Sequence, residues 1–242
     1  MTTQTVTDDR TNTPRQRLVA FTRWIEELCR DDPGARTALR SGLRRGLDDV
    51  PRMHRFVSPW LPRNGQVPQS EQRAYYAVAA MIAAQPRTSY ATPDTDTDTA
   101  TATDSAPVSD PGSGSEAAAS ERAPAPRYGQ SLGHAFALAV TESPGREREM
   151  RESTAETRLN LLTRQSLNGL HRHLPAAVGY LRETGVHIDW AQMLSDLAAW
   201  PAHSKTISRR WLQHYYMQRT KALREHADRA DQTETEADNP TG

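Results

Sequence analysis

The sequence predicts an all-α protein made of two small helical bundles separated by a long, disordered, acidic linker. Three observations carry that expectation. Apolar residues recur at helical spacing in both halves, as in Leu18, Phe21, Trp24, Ile25 and Leu28. Helix-starting pairs, a polar cap followed by proline, precede two of the first runs, at Thr13-Pro14 and Asp32-Pro33. No segment alternates apolar and polar residues as a half-buried strand does.

The first helix opens at Thr13, and the second follows Asp32-Pro33 and is expected to end at Gly46. A short third element after Pro51 buries Met53, Phe56 and Val57. Ser70 starts a fourth helix through Tyr75, Val78, Ala79 and Ile82, stopped by Pro86. Ordered sequence resumes at Tyr128, where Ser131 caps a helix carrying Leu132, Phe136 and Val140. A helix from near Ser153 presents Leu159, Leu161 and Leu162. The next stripe, Leu167, Leu170, Leu174, Val178 and Leu181, contains Pro175, which is expected to kink or restart it. Asp189 caps a short helix from Trp190 to Trp200, and Ser204 opens a long terminal helix through Ile207, Trp211, Tyr215 and Leu223. The bundles thus span residues 13–86 and 128–230.

Residues 87–127 differ in kind. Thr-Asp alternation followed by Ser, Gly, Ala and Pro leaves almost nothing apolar to offset the entropy of ordering, so a disordered linker is expected. Residues 1–12 and an acidic tail at 231–242 read the same way. The Thr-Asp tract lacks the central Gly and terminal Glu of a calcium-binding EF-hand loop.

A net charge of zero hides a segregation of sign. Asp94, Asp96, Asp98, Asp104, Asp110, Glu116 and Glu121 fall in the linker, with further acids at both ends. Outside residues 1–9, 88–127 and 231–242 the chain holds 28 bases against 17 acids. A positive body with acidic flanks points to a polyanionic partner. The excess of Arg over Lys by itself also fits a GC-rich codon bias.

Catalytic chemistry is not legible. Cys29 is the single cysteine, which excludes a disulfide and a thiolate metal cage. His171 and His173, two apart, point to nearly opposite sides of a helix and do not chelate together. There is no phosphate-cradling glycine loop, nucleophile elbow or metal-ligand helix motif, so no enzyme activity, metal or cofactor is expected. The polar N-terminus lacks a signal core, and the longest apolar run, Tyr75 to Ala84, is too short to span a bilayer. The expected location is cytoplasmic.

What remains is arginine. Arg36, Arg40 and Arg44 stand four apart, one stripe if a single helix carries them, and are either phosphate contacts or a solvated basic face. Arg158 falls between Leu161 and Leu162 on an apolar face, so it needs a partner: another segment, another subunit or a phosphate. Arg164 lies on the polar side with Asn160 and Thr157. Lys205, Arg209, Arg210 and Arg219 flank Trp211, Tyr215 and Tyr216, a mixture that stacks bases in single-strand binders, although Trp211 and Tyr215 fit a core better.

Taken in order, Leu39-Arg40, Pro51, Tyr75-Tyr76-x-Val78-Ala79, Ser131-Leu132-Gly133, Arg158-Leu159-x-x-Leu162, Ile188-Asp189-Trp190, Leu197-x-x-Trp200 and Trp211-x-x-x-Tyr215-Tyr216 resemble the CasB family. That family is the small subunit of the type I-E CRISPR Cascade surveillance complex. The resemblance implies an all-helical, non-enzymatic subunit present in two copies. Its implied partners are the repeated backbone subunit, the large subunit, the guide RNA (crRNA) and target DNA, including the displaced strand. It places Arg40 on the family's helix-two arginine, Arg158 and Arg164 on a basic pair set against DNA, and Arg172 on a further basic position. The long 87–127 segment and the tail beyond Asp231 depart from the pattern. A free-standing helical DNA-binding regulator is the alternative, with Pro201 to Ser208 as the only approach to a recognition helix.

Overall fold

The computed structural model describes residues 13–62, 67–86, 129–141 and 149–237, and among these every regular element is helical. The all-α expectation holds. The 87–127 linker and the first twelve residues lie outside the described residues.

Local caps account for the starts of several helices. Helix α1, Pro14–Asp31, begins with a capping box: Gln16 N donates to Thr13 Oγ1 at 3.4 Å, and Thr13 N donates to Gln16 Oε1 at 2.7 Å. Helix α2, Pro33–Arg40, starts on Asp32, whose Oδ1 accepts from Gly34 N and Ala35 N at 2.7 and 2.9 Å. It ends at Arg40 rather than Gly46. In the turn that follows, Gly42 lies against Met53, where a Cβ would sit 2.1 Å from the Met53 sulfur. The same turn holds Arg44 at φ 63°, a left-handed conformation uncommon outside glycine. A 3-10 turn, Leu47–Asp49, leads into α3, Pro51–Val57.

Helix α4, Gln69–Ala83, is buried almost all round from Ala74 to Ala83, because it packs against α1, α2 and α3, against α7, Leu167–Glu183, and against α8, Trp190–Ala237. Helix α7 runs unbroken through Pro175, so that proline does not restart it; the contacts of Leu170, Leu174, Val178 and Leu181 with the core carry it across the lost hydrogen bond.

Helix α5, Leu132–Val140, is capped by Ser131, whose Oγ accepts from His134 N at 3.3 Å. It crosses α8, Trp190–Ala237, so closely that a Cβ on Gly133 would lie 1.7 Å from the Trp211 carbonyl oxygen. This contact explains why glycine follows Ser131-Leu132. Asp189 caps α8 through Oδ1, which accepts from Gln192 N at 2.8 Å. Its Oδ2 accepts from Gly129 N and Gln130 N, tying the approach to α5 to the start of α8.

The expected division of α8 near Trp200 and Ser204 is present as a break at His203, two residues after Pro201, within one long helix. The backbone of α8 runs on to Ala237, into the stretch read as an acidic tail. Alanine and glutamate favour helix strongly enough to continue one that is already nucleated.

Buried residues of the helices before and after the central segment join in one apolar cluster. It runs from Phe21, Ile25, Met53 and Ile82 to Phe136, Leu159, Trp200, Trp211 and Tyr215. Helix α8 makes it continuous by packing on α1 and α4 as well as on α5 and on α6, Glu152–Thr163.

Candidate nucleic-acid interface

The arginines singled out from the sequence separate into two groups. The first is held by the fold. Arg36 donates from Nε to Ala83 O at 3.2 Å and from Nη2 to Gln85 O at 2.6 Å, satisfying carbonyls that the end of α4 leaves without partners. Since α2 stops at Arg40, Arg36, Arg40 and Arg44 do not form one helical stripe. Arg210 pairs with the buried Asp196, which also accepts from Trp211 Nε1 at 2.6 Å and Gln192 Nε2 at 2.8 Å. Arg219 pairs with Glu152, lies 3.8 Å from Glu156, and sits 5.8 Å from the Tyr215 ring centroid. Burial opposes the charge on Arg219, but the hydrogen bond it donates to Glu152 and the surrounding negative groups outweigh it and hold its pKa above the ordinary value. Tyr215 is itself pushed up to about 12, chiefly by burial.

Arg158 is intermediate. Its guanidinium lies 4.6 Å from the Tyr180 ring centroid on α7, so its partner is another segment, through a π-face rather than an acid. Leu159 and Leu162 turn inward while Leu161 is 44% exposed, so Arg158 stands at the edge of the apolar face instead of within it.

The second group is exposed: Arg40, Arg44, Arg164, Arg172, Lys205 and Arg209. None of these side chains is paired with another described residue. Three of them are brought together by the end of α6. Ser208 Oγ donates to Thr163 O at 3.0 Å, and Trp200 Nε1 donates to Gln165 O at 3.4 Å. These bonds hold the residues on either side of Arg164 against α8, on both sides of its break at His203, where α8 also carries Lys205 and Arg209. Exposed like charges on rigid backbone create a positive potential that a chain of phosphates relieves. Trp211 and Tyr215 are fully buried and unavailable for base stacking.

A second basic site lies at the turn after α2. Arg44 and Arg45 line a narrow cleft with Arg73 of α4 and His171 of α7. Sequence reasoning passed over Arg45 and Arg73. The one signal for Arg73 is its place immediately before the apolar run of α4, where a charge must find the helix edge. Arg172 is exposed on α7, next to His171 in the chain. Among the described residues no cluster of His, Cys, Asp and Glu fits a metal ion, and no helix is long and apolar enough to cross a membrane.

Comparison with known proteins agrees with this all-helical architecture. No curated protein matches the chain. A chain from a solved CRISPR RNA-guided surveillance complex is 31% identical, with a TM-score of 0.65, over 88% of this protein and 98% of that chain. One from such a complex in a pre-nicking state is 32% identical, with a TM-score of 0.66, over 88% and 99%. CasB from Thermus thermophilus, 23% identical with a TM-score of 0.52 over 84% and 98%, shares the fold. The model of the CRISPR-associated protein Cse2 family matches residues 35–216, which takes in most of the helices described above; this chain belongs to the Cse2 family, the CasB family that its ordered motifs resemble.

Proposed function

We propose that this protein is the small subunit of a type I-E CRISPR Cascade surveillance complex. In that role it holds nucleic-acid backbone through arginines and stabilises both the guide RNA–target DNA pairing and the displaced strand. Two copies act beside the repeated backbone subunit and the large subunit, in the cytoplasm, and the subunit makes or breaks no bond itself. Family membership and the likeness to chains of RNA-guided surveillance complexes support the assembly.

The observation that carries the backbone-holding role is the Arg164, Lys205 and Arg209 group. These are exposed cations without acid partners among the described residues, on backbone that the Trp200 and Ser208 side chains tie together through hydrogen bonds to the carbonyls of Gln165 and Thr163. Exchanging a DNA duplex for a guide–target hybrid is nearly balanced in pairing energy. A few phosphate contacts therefore shift the balance without reading sequence. Arg40 and Arg158 belong to the same reading, the first as an exposed contact and the second through the edge it presents beside Tyr180.

Charge reversal at Arg164, Lys205 and Arg209 within an assembled complex tests this. Opening of target DNA, followed by permanganate reactivity of the displaced strand, is expected to weaken while assembly and guide RNA binding persist. Opening equal to that of the parent complex would refute the role assigned to these residues.

A further inference from the structure

We infer that the cleft between the α2–α3 turn, α4 and α7 is a seat for one phosphate-class oxyanion. This deepens the proposed function by naming where one backbone phosphate is gripped, and it rests on that reading only for the identity of the phosphate's bearer.

His171 is 5% exposed, and its Nε2 is buried without a hydrogen-bond partner. Arg73 Nε is likewise buried and unpartnered. Both residues line the same narrow cleft of about 20 Å³, and Arg44 and Arg45 line it too. An unpartnered buried polar atom costs on the order of 1–3 kcal/mol, so two on residues that line one cleft form a costly arrangement unless something pairs with them. All four side chains offer N–H donors, and no acid lines the narrow cleft. A chemical group that accepts only and carries negative charge completes the arrangement.

The shape agrees. The narrow cleft adjoins a wider one of about 390 Å³, with Arg73 and Leu47 forming part of both walls. One phosphate oxygen enters the narrow part between His171 and Arg73, and the rest of the group stays in the wide part. Arg73 Nη1 is held by Asn168 Oδ1, which fixes the guanidinium before any ligand arrives. Asp48 is the single acid lining the wide cleft, so the phosphate is expected to keep to the Arg73 side. The left-handed backbone at Arg44 is consistent with a turn shaped for presentation of side chains, at a cost the surrounding packing bears.

Histidine-labelled full-length protein provides the test. The imidazole resonance of His171, assigned by its loss in His171→Gln, is followed during titration with inorganic phosphate, with KCl at equal ionic strength, and with a short thymidine oligonucleotide. Phosphate is expected to move the resonance saturably and KCl to leave it in place. The double variant Arg44→Asn with Arg45→Gln changes only exposed side chains and keeps a residue tolerant of the left-handed turn. It is expected to weaken phosphate binding about tenfold, the worth of one charge-assisted hydrogen bond. Movement with the oligonucleotide as well assigns the bearer as a nucleic-acid backbone. Movement with phosphate alone keeps the oxyanion site and removes the backbone from it. If fluorescence anisotropy shows the oligonucleotide bound while His171 stays still in every titration, this cleft is not an oxyanion seat and the proposed function stands. If phosphate moves His171 but no oligonucleotide binds anywhere, the proposed function fails and the seat remains.

Discussion

Two regions of this molecule carry arginines of similar appearance in the sequence and opposite use in the structure. Around Asp196, the carboxylate is 98% buried and accepts from Arg210, Trp211 and Gln192. At the junction of α6 with α8, Arg164, Lys205 and Arg209 face outward with no described acid against them. Arg209 and Arg210 are adjacent in the chain, so composition and local spacing do not separate them. The difference lies in which face of α8 meets the acid Asp196, fourteen residues away from Arg210 in sequence. A cation with a buried acid beside it is committed to the fold, since leaving either partner alone in the interior costs more than the pair contributes. A cation without one is available to a ligand.

Five variants or conditions sharpen or break this contrast, each read by thermal or chemical denaturation unless stated. Asp196→Ala should cost the most, about 3–5 kcal/mol, because the buried Trp211 N–H and Arg210 both lose their acceptor. A loss below 1 kcal/mol would place Asp196 outside the structural set. Acidification is next. Burial, with the Arg73 charge second, lowers the His171 pKa to about 4 from the ordinary 6.5. The folded state therefore binds its proton less readily than the unfolded one. The stabilisation is full above about pH 6.5 and is lost as pH falls toward 4, by up to about 3 kcal/mol. In His171→Gln the melting temperature should fall less steeply across that window.

Arg210→Met should cost about 1–2 kcal/mol: Asp196 keeps its bonds from Trp211 and Gln192, and Arg210 is already partly exposed. Arg158→Met keeps the apolar stem and removes only the contact over Tyr180, a loss of about 0.5–1 kcal/mol. If it melts almost normally yet assembled complexes fail to hold opened DNA, the charge of Arg158 acts on phosphate. The triple reversal of Arg164, Lys205 and Arg209 should change stability least, within about 0.5 kcal/mol, as exposed substitutions do. A large destabilisation there would show that these cations, too, belong to the fold.

Much of the fold was legible because its signals are local. Thr13, Asp32, Ser131 and Asp189 act within a few residues of themselves, so the chain announces where α1, α2, α5 and α8 begin. Trp211 and Tyr215, four apart, read as core and are fully buried. The end of α2 was not legible at Gly46, since the turn at Gly42 lies against Met53 of the next helix. Nor was the role of Arg36, whose carbonyl partners lie almost fifty residues further on at Ala83 and Gln85. Arg73 and His171 drew no attention as a pair because only the packing of α4 on α7 places them in one cleft.

By itself the sequence determined that this chain is helical, where its caps lie, which faces are apolar, and that its folded part is rich in arginine; periodicity and capping are short-range physics. The tertiary structure decided that the helices share one core, that Arg36, Arg210 and Arg219 belong to the fold, and that Arg164, Lys205 and Arg209 stand together in the open. The reason is that a charge's role depends on whether an opposite charge or a carbonyl is packed within reach. That reach spans tens of residues and is set only when the helices have closed on one another.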